Sequence, residues 1–210
     1  MAKKDEANTR IPKQQRGIDT RERIVTAALE LFSKNGYHRT NAKQIAARAG
    51  VAVGSFYAYF KDKRDLFKAA LEEFDRTITG RIESLRKDDF DARDPKEFLA
   101  VYIKQVLQAH SYYPGFHREV LRMRQDDPDV SKMLEMQERD VEASVSRLLK
   151  GWSAHLGVKD LGAAAFLVRN AVESTVHGIV YGETMLKKEI LIKELTSMIL
   201  SYLSLEGRAP

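Results

Sequence analysis

Two sets of residues in this chain have the types and spacing to do chemistry, and both suit binding better than bond-making. The first is compact: Val53, Gly54, Ser55, Tyr57 and Tyr59, with Lys63 just beyond. Tyrosine hydroxyls and a lysine ammonium have the reach and donor character for phosphate oxygens. Small residues at 54 and 55 let the start of a helix approach a groove floor. The second set is dispersed: Tyr102, His110, Tyr113, Phe116, His117, Met133 and Trp152 gather around a break at Pro114. Arg169, Glu173 and His177 add a four-residue repeat on an otherwise apolar segment. Such a mixture could orient a small ligand in a mostly apolar cavity, or form an ordinary hydrogen-bonded set beneath an interface.

Other chemistries find little support. His110 and His117 stand seven apart across a proline break, with no HExxH, cysteine pair or acidic run beside them. Each reads as a surface or core histidine, and no metal is expected. No GxSxG, glycine-rich phosphate loop or outstanding carboxylate pair is present, so neither an enzyme nor a cofactor is expected.

Two short helices joined by a tight turn must position the first set. Asn41 followed three residues later by Gln44 forms a cap pair, opening a helix with Ile45, Ala46 and Ala49 on its inner face. Gly50 falls where the chain turns sharply, and glycine reaches positive φ without a Cβ clash. Val51, Phe56 and Phe60 have the spacing to pack back on Ile45 and Ala49. A helical hairpin whose aromatics are all core is the alternative, but Tyr57 and Tyr59 do not share one face with Phe56 and Phe60.

From Asp19 to Leu71 the sequence resembles the DNA-binding domain of the tetracycline-repressor (TetR) family of bacterial transcription regulators. The matching stretches are TRERIVTAALELFSKNGYHRT, the Ile45-Ala46 pair, AGV at 49–51 and FYAYFKDKRDLF at 56–67. The rest of the chain resembles the family only in length and helical character. The resemblance implies DNA contacts at Asn41 and Ala42, then at Val53, Gly54, Ser55, Tyr57, Tyr59 and Lys63. One position departs: Ala52 stands where the family usually has serine, and alanine is a poor N-cap by about 1 kcal/mol. The recognition helix is therefore expected to fray at its start until phosphate meets it.

Composition sets the bounds. The chain has 210 residues and no cysteine, which removes disulfides and thiolate chemistry. No apolar run of 18 residues exists and MAKKDEANTR lacks an apolar signal core, so a soluble cytoplasmic protein without membrane association is expected. Residues 1–68 hold 15 Lys and Arg against 7 Asp and Glu, whereas the remainder holds 20 against 23. A basic head on a mildly acidic body fits a polyanionic partner for the head alone. Residues 1–17, with Lys3, Lys4, Arg10, Lys13 and Arg16, read as a disordered basic tail.

The pattern is all-α, with about nine helices: a helix-turn-helix head over 18–63 and an effector-binding and dimerisation body over 64–210. The first helix is expected from Asp19, where Glu22 completes a capping box, to Asn35-Gly36, with Ile24, Ala27, Ala28, Leu31 and Phe32 inward. Asp62 caps a long fourth helix to about Arg86, with Leu66, Phe67, Ala70, Leu71, Phe74, Ile78, Ile82 and Leu85 inward. Asp94-Pro95 and Asp127-Pro128 start two more helices, and a short one follows Pro114. The last two, at roughly 160–184 and 187–205, carry more apolar surface than one neighbour can cover. A homodimer through about 160–205 is expected, as the resemblance also implies.

These readings converge on a ligand-responsive, sequence-specific transcriptional regulator, in this family most often a repressor. It would bind a palindromic double-stranded operator as a dimer and be released by a small, largely apolar effector. A nucleoid-type DNA binder without an effector, or a helical enzyme or carrier, are the rivals.

Overall fold

The computed structural model describes residues 15–87, 95–152 and 156–203. Among them are nine α-helices and no strand, so the fold is all-α as expected: α1 (Gln15–Asn35), α2 (Ala42–Ala49), α3 (Val53–Tyr59), α4 (Lys63–Lys87), α5 (Pro95–His110), α6 (Pro114–Asp126), α7 (Pro128–Gly151), α8 (Leu161–Val180) and α9 (Lys188–Leu203). No helix of these is long and apolar enough to cross a membrane. The basic residues Lys3, Lys4, Arg10 and Lys13, the cap Asp94, and the side chains of Ile78, Ile82 and Leu85 lie outside the described residues.

Most start and stop signals act where the sequence places them. Asp62 Oδ1 accepts the N–H of Asp65 at 2.8 Å, and Asp127 Oδ1 accepts that of Asp129 at 3.0 Å. Pro95, Pro114 and Pro128 each occupy a first helical position, where a missing N–H costs nothing. One signal fails. Helix α1 is already formed at Gln15, so the Asp19/Glu22 pair lies inside it. Gly17 is the sole poor helix former upstream, and about 1 kcal/mol does not stop a helix whose inner face is well packed. Thr20, one turn in, turns its hydroxyl onto the Arg16 carbonyl at 2.8 Å instead of capping.

The residues form two compact units: one of 15–76 with 115–130, the other of 77–114 with 131–203. α4 as far as Arg76 and α6 from Gly115 belong with the head. Its core takes Ile24, Ala28 and Phe32 from α1, Ile45 and Ala46 from α2, and Leu66, Phe67, Leu71 and Phe74 from α4, all 5% exposed or less. Leu31, expected inside, is half-buried, and Val25 and Leu29 are buried in its stead.

Phe116 of α6 completes this core, fully buried, with its ring 5.2 Å from Phe67 and 5.6 Å from Phe74. Gly115 is what lets α6 come so near. A Cβ there would lie 1.9 Å from the carbonyl oxygen of Ser33, so no larger residue fits without moving the helix. The second unit has its own core, built from Phe98, Tyr102, Ile103 and Val106 of α5, Val145 and Leu149 of α7, Val168, Val172 and Val176 of α8, and Leu195 and Ile199 of α9.

Candidate nucleic-acid interface and effector core

The head presents α3 by fixing both of its ends. Before it, Asn41 and Gln44 cap α2 reciprocally: Asn41 Oδ1 accepts the Gln44 N–H at 3.0 Å, and Gln44 Oε1 accepts the Asn41 N–H at 2.9 Å. Gly50 ends α2 at φ 65° and ψ 40°, and the N–H of Val51 reaches back to the Ala46 carbonyl at 3.0 Å. This is a glycine-terminated helix end of the kind expected from the sequence. Arg23 of α1 reinforces it, donating from Nη2 to the carbonyls of Ala49 at 2.5 Å and Gly50 at 3.0 Å. Sequence reasoning did not find this role for Arg23, because its partners are backbone oxygens 26 and 27 residues away.

Helix α3 is anchored through Phe56 and Phe60, whose rings are 0% and 2% exposed. The other face is open. Tyr57 is 56% exposed and Val53 39%, and Gly54 would have nothing within 4 Å of an added Cβ. Asn41 is exposed too, whereas Ala42, Ser55 and Tyr59 are half-buried. Ala52 precedes the helix with extended backbone and no side-chain cap. The head thus offers a short, shallow ridge of small residues with one projecting tyrosine.

Lys63 does something the sequence did not foretell. Its Nζ donates to the carbonyl oxygens of Tyr37 at 2.8 Å and Thr40 at 2.9 Å, and it sits 4.1 Å from the centre of the Tyr37 ring. Burial lowers its pKa from the ordinary lysine value. One of its three N–H donors is left over from these two bonds.

A second polar group joins α4 to the α6–α7 corner within the same unit. Arg64 donates to Asp127 from Nε at 2.5 Å and Nη2 at 2.7 Å, and to Asp129 at 3.0 Å; Lys68 reaches Asp129 at 3.2 Å. The hydrogen bonds from Arg64, opposed by burial, hold the Asp127 carboxyl down at about 2, and Asp127 in turn raises the Arg64 pKa.

The dispersed set falls in both units. Phe116 and His117 belong to the head, where His117 lies 5.6 Å from the Phe74 ring. Tyr102, His110, Tyr113, Met133, Trp152, Arg169, Glu173 and His177 belong to the other unit. Tyr113, Met133 and Trp152 are half-buried. Trp152 packs edge-on against Phe98 at 5.3 Å, and Phe98 stacks on Tyr102 at 6.4 Å.

The Arg169–Glu173–His177 repeat does share one side of α8. Arg169, 7% exposed, donates to Glu173 at 3.3 Å and lies 3.9 Å from Glu142. Burial, then Glu173, pushes the Tyr102 phenol up to about 12. His110 hydrogen-bonds the Val106 carbonyl through Nδ1 at 2.8 Å. A carbonyl only accepts, so Nδ1 carries the proton in that contact. Burial lowers the pKa of His110, and burial with His110 beside it brings His177 down to about 4. The two imidazole centres are 5.4 Å apart, and Tyr181 lies 5.3 Å beyond His177. Sequence reasoning did not single out Tyr181, although it continues the four-residue spacing of Arg169, Glu173 and His177.

A helix-turn-helix with its second helix exposed, on an all-α chain with a separate helical core, is the build of a DNA-binding regulator. Residues 24–70 match "Bacterial regulatory proteins, tetR family", and residues 94–203 match "Tetracyclin repressor-like, C-terminal domain". The chain belongs to the TetR family of transcription regulators.

The Fatty acid metabolism regulator protein of Bacillus subtilis (strain 168) is 31% identical over 135 residues, covering 61% of this chain and 60% of that one. The chain therefore spans less than two thirds of the length of that curated relative. Among solved structures, a transcriptional regulator from Rhodococcus sp. Rha1 aligns with a TM-score of 0.73 at 20% identity, over 87% of this chain and 97% of that one. The complex of triclosan with SmeT, repressor of a Stenotrophomonas maltophilia multidrug efflux pump, aligns with a TM-score of 0.71 at 22% identity, over 90% and 93%.

Proposed function

We propose that this regulator is a repressor that binds a palindromic operator as a homodimer and is released when a small, largely apolar molecule enters the second unit. The observation that carries the reading is the ridge of exposed Val53, Gly54 and Tyr57 with half-buried Ser55, backed by the buried pair Phe56 and Phe60. Asn41, Ala42, Tyr59 and the spare donor of Lys63 complete the contact set. One such ridge reads few base pairs, so two related by a twofold axis give the specificity, with half-sites roughly 34–36 Å apart or somewhat more.

Exposed apolar residues support dimerisation through α8 and α9. Phe166 and Leu167 are 50% and 51% exposed, and Ile190, Met198 and Tyr202 are 50%, 53% and 38%. Apolar groups this large and this close are a liability on a monomer. The polar cluster of Tyr102, His110, Glu173 and His177, set in an apolar core, supports an effector held by few polar contacts. The likeness to a fatty acid metabolism regulator and to a triclosan-binding repressor agrees with an apolar effector. Effector entry would act through α4, the continuous helix leading out of the head.

The test is a mobility shift with duplex from upstream of the chain's own gene, against a scrambled duplex at near-physiological salt. Binding to the palindrome should exceed the scrambled control by at least a hundredfold, with a log–log salt slope of about −0.9 per neutralised phosphate. Equal binding to both duplexes would favour an architectural DNA binder instead.

A further inference from the structure

A groove of about 690 Å³ runs between α5 and α9, and its lining includes none of Tyr102, His110, Glu173, His177 and Tyr181. On α5 it is lined at one-turn intervals by Lys96, Ala100, Lys104 and Leu107, a stripe about 17 Å long at 1.5 Å per residue, with Ser111 just past the helix end. Across from it stand Lys188, Ile192, Lys193 and Thr196 of α9. The floor is aliphatic, from Ala100, Leu107 and Ile192, and lysine stems add methylenes to it. Among the described residues four ammonium groups line this length, and Glu189, 3.9 Å from Lys188, is the acidic one. Lys96 and Lys188 stand in the first turns of their helices, where free backbone N–H groups already carry partial positive charge. An apolar trough with a cationic rim calls for the opposite ligand: a long apolar body with a negative end.

Of the dimer surface proposed above, Met198 and Tyr202 lie on the flank of α9 opposite the groove, whereas Ile190 lies beside the groove flank. With about 100° of rotation per residue, Glu189, Lys193 and Ser197 lie along one flank of α9 and Met198 and Tyr202 along the other. The buried stripe of Ile192, Leu195, Ile199 and Leu203 runs between the two flanks.

We propose that the α5–α9 groove is a binding site for a single-chain anionic amphiphile of the long-chain carboxylate class. The carboxylate is held by the lysines and the chain lies along Ala100, Leu107 and Ile192. The site is separate from the effector core and from the DNA ridge, so its failure would leave the operator reading untouched.

The experiment titrates palmitate into the full chain without DNA by calorimetry, beside hexadecanol, inorganic phosphate and phosphatidylglycerol vesicles. Palmitate should bind at least tenfold more tightly than hexadecanol or phosphate, and K104E/K193E should weaken it at least tenfold. In the unaltered protein, spin-labelled stearate should broaden the NMR signals of Ala100, Leu107 and Thr196. This second measurement stands even if the double variant misfolds. Binding within twofold in the variant, equal affinity for hexadecanol or phosphate, association with vesicles alone, or broadening centred on Val176 and His177 would each overturn the assignment.

Discussion

The carboxylate of Glu119, in α6, accepts the backbone N–H of Tyr37 at 2.8 Å, across 82 positions of sequence. Tyr37 begins the turn that leads into α2, so a residue far along the chain fixes the entry to the helix-turn-helix. Glu119 is 8% exposed, and Arg122 pairs with its other oxygen. A buried carboxylate so engaged leaves an orphaned donor when it is removed. E119A should cost about 1–3 kcal/mol in urea denaturation, and E119Q less, because an amide oxygen still accepts. Equal stability of E119A and the parent would show that the bond contributes nothing.

Gly115 makes that contact possible. Because an added Cβ would lie 1.9 Å from the Ser33 carbonyl, G115A must push α6 off α1. A loss of about 3 kcal/mol is expected, with the aromatic packing around Phe116 disturbed. The check is the thermal transition together with near-ultraviolet dichroism, which should weaken; an unshifted midpoint would mean that α6 yields freely.

Tyr57 and Lys63 should behave differently although both stand in the proposed contact set. Tyr57 is 56% exposed and holds no core together, so Y57A should weaken operator binding about tenfold while stability stays within about 0.5 kcal/mol. Lys63 holds two carbonyls of the α1–α2 turn, so K63A should lose about 1–2 kcal/mol of stability as well as affinity. Urea denaturation beside anisotropy titration separates the two, and a K63A protein as stable as the parent would assign Lys63 to DNA alone.

Ala52 offers the opposite kind of test, a gain. It precedes α3 with extended backbone and no capping bond, so A52S supplies the missing acceptor for a first-turn N–H. Stability should rise by about 1 kcal/mol, and amide exchange at Gly54 should slow in the free protein. Full protection of that amide in the parent would remove the premise.

What the sequence made legible follows from the range of each interaction. The Asn41/Gln44 box, the Gly50 turn and the Asp62 cap are local, closed within five residues, and all could be read in advance. So could most of the inward face of α1, Leu31 excepted, and that of α4 as far as Phe74, since periodicity reports burial. Phe116 shows the limit: its composition suits a ligand cavity or a core equally, and only tertiary placement assigns it to the head. Lys63 shows another, because its bonds to the Tyr37 and Thr40 carbonyls join residues 26 and 23 positions apart and leave no mark in the local pattern. Arg23, Glu119 and Arg64 were illegible for one shared reason. Each acts on a partner brought near by folding, with no periodic or spacing signal to mark it.

Arg64 and Asp127 bring that long-range chemistry within reach of pH. Asp127 is 4% exposed, and its folded pKa of about 2 lies below the ordinary value of 3.8. The unfolded chain therefore takes up the proton first as pH falls. The pair's contribution is whole above about pH 4 and is lost as pH drops towards 2. Because the Arg64 side chain is 46% exposed, solvent screens the pair, and the pH-dependent part should be about 1 kcal/mol. D127N abolishes the titration and weakens the pairing at every pH, and it also removes a capping carboxylate from α7. The parent should thus exceed D127N in stability at pH 7, and the gap should narrow between pH 4 and pH 2. Urea midpoints at pH 7, 4, 3 and 2 provide the measurement. A gap constant down to pH 2 would mean that Asp127 takes up its proton at the same pH folded and unfolded, so that neither Arg64 nor the helix start holds its pKa down.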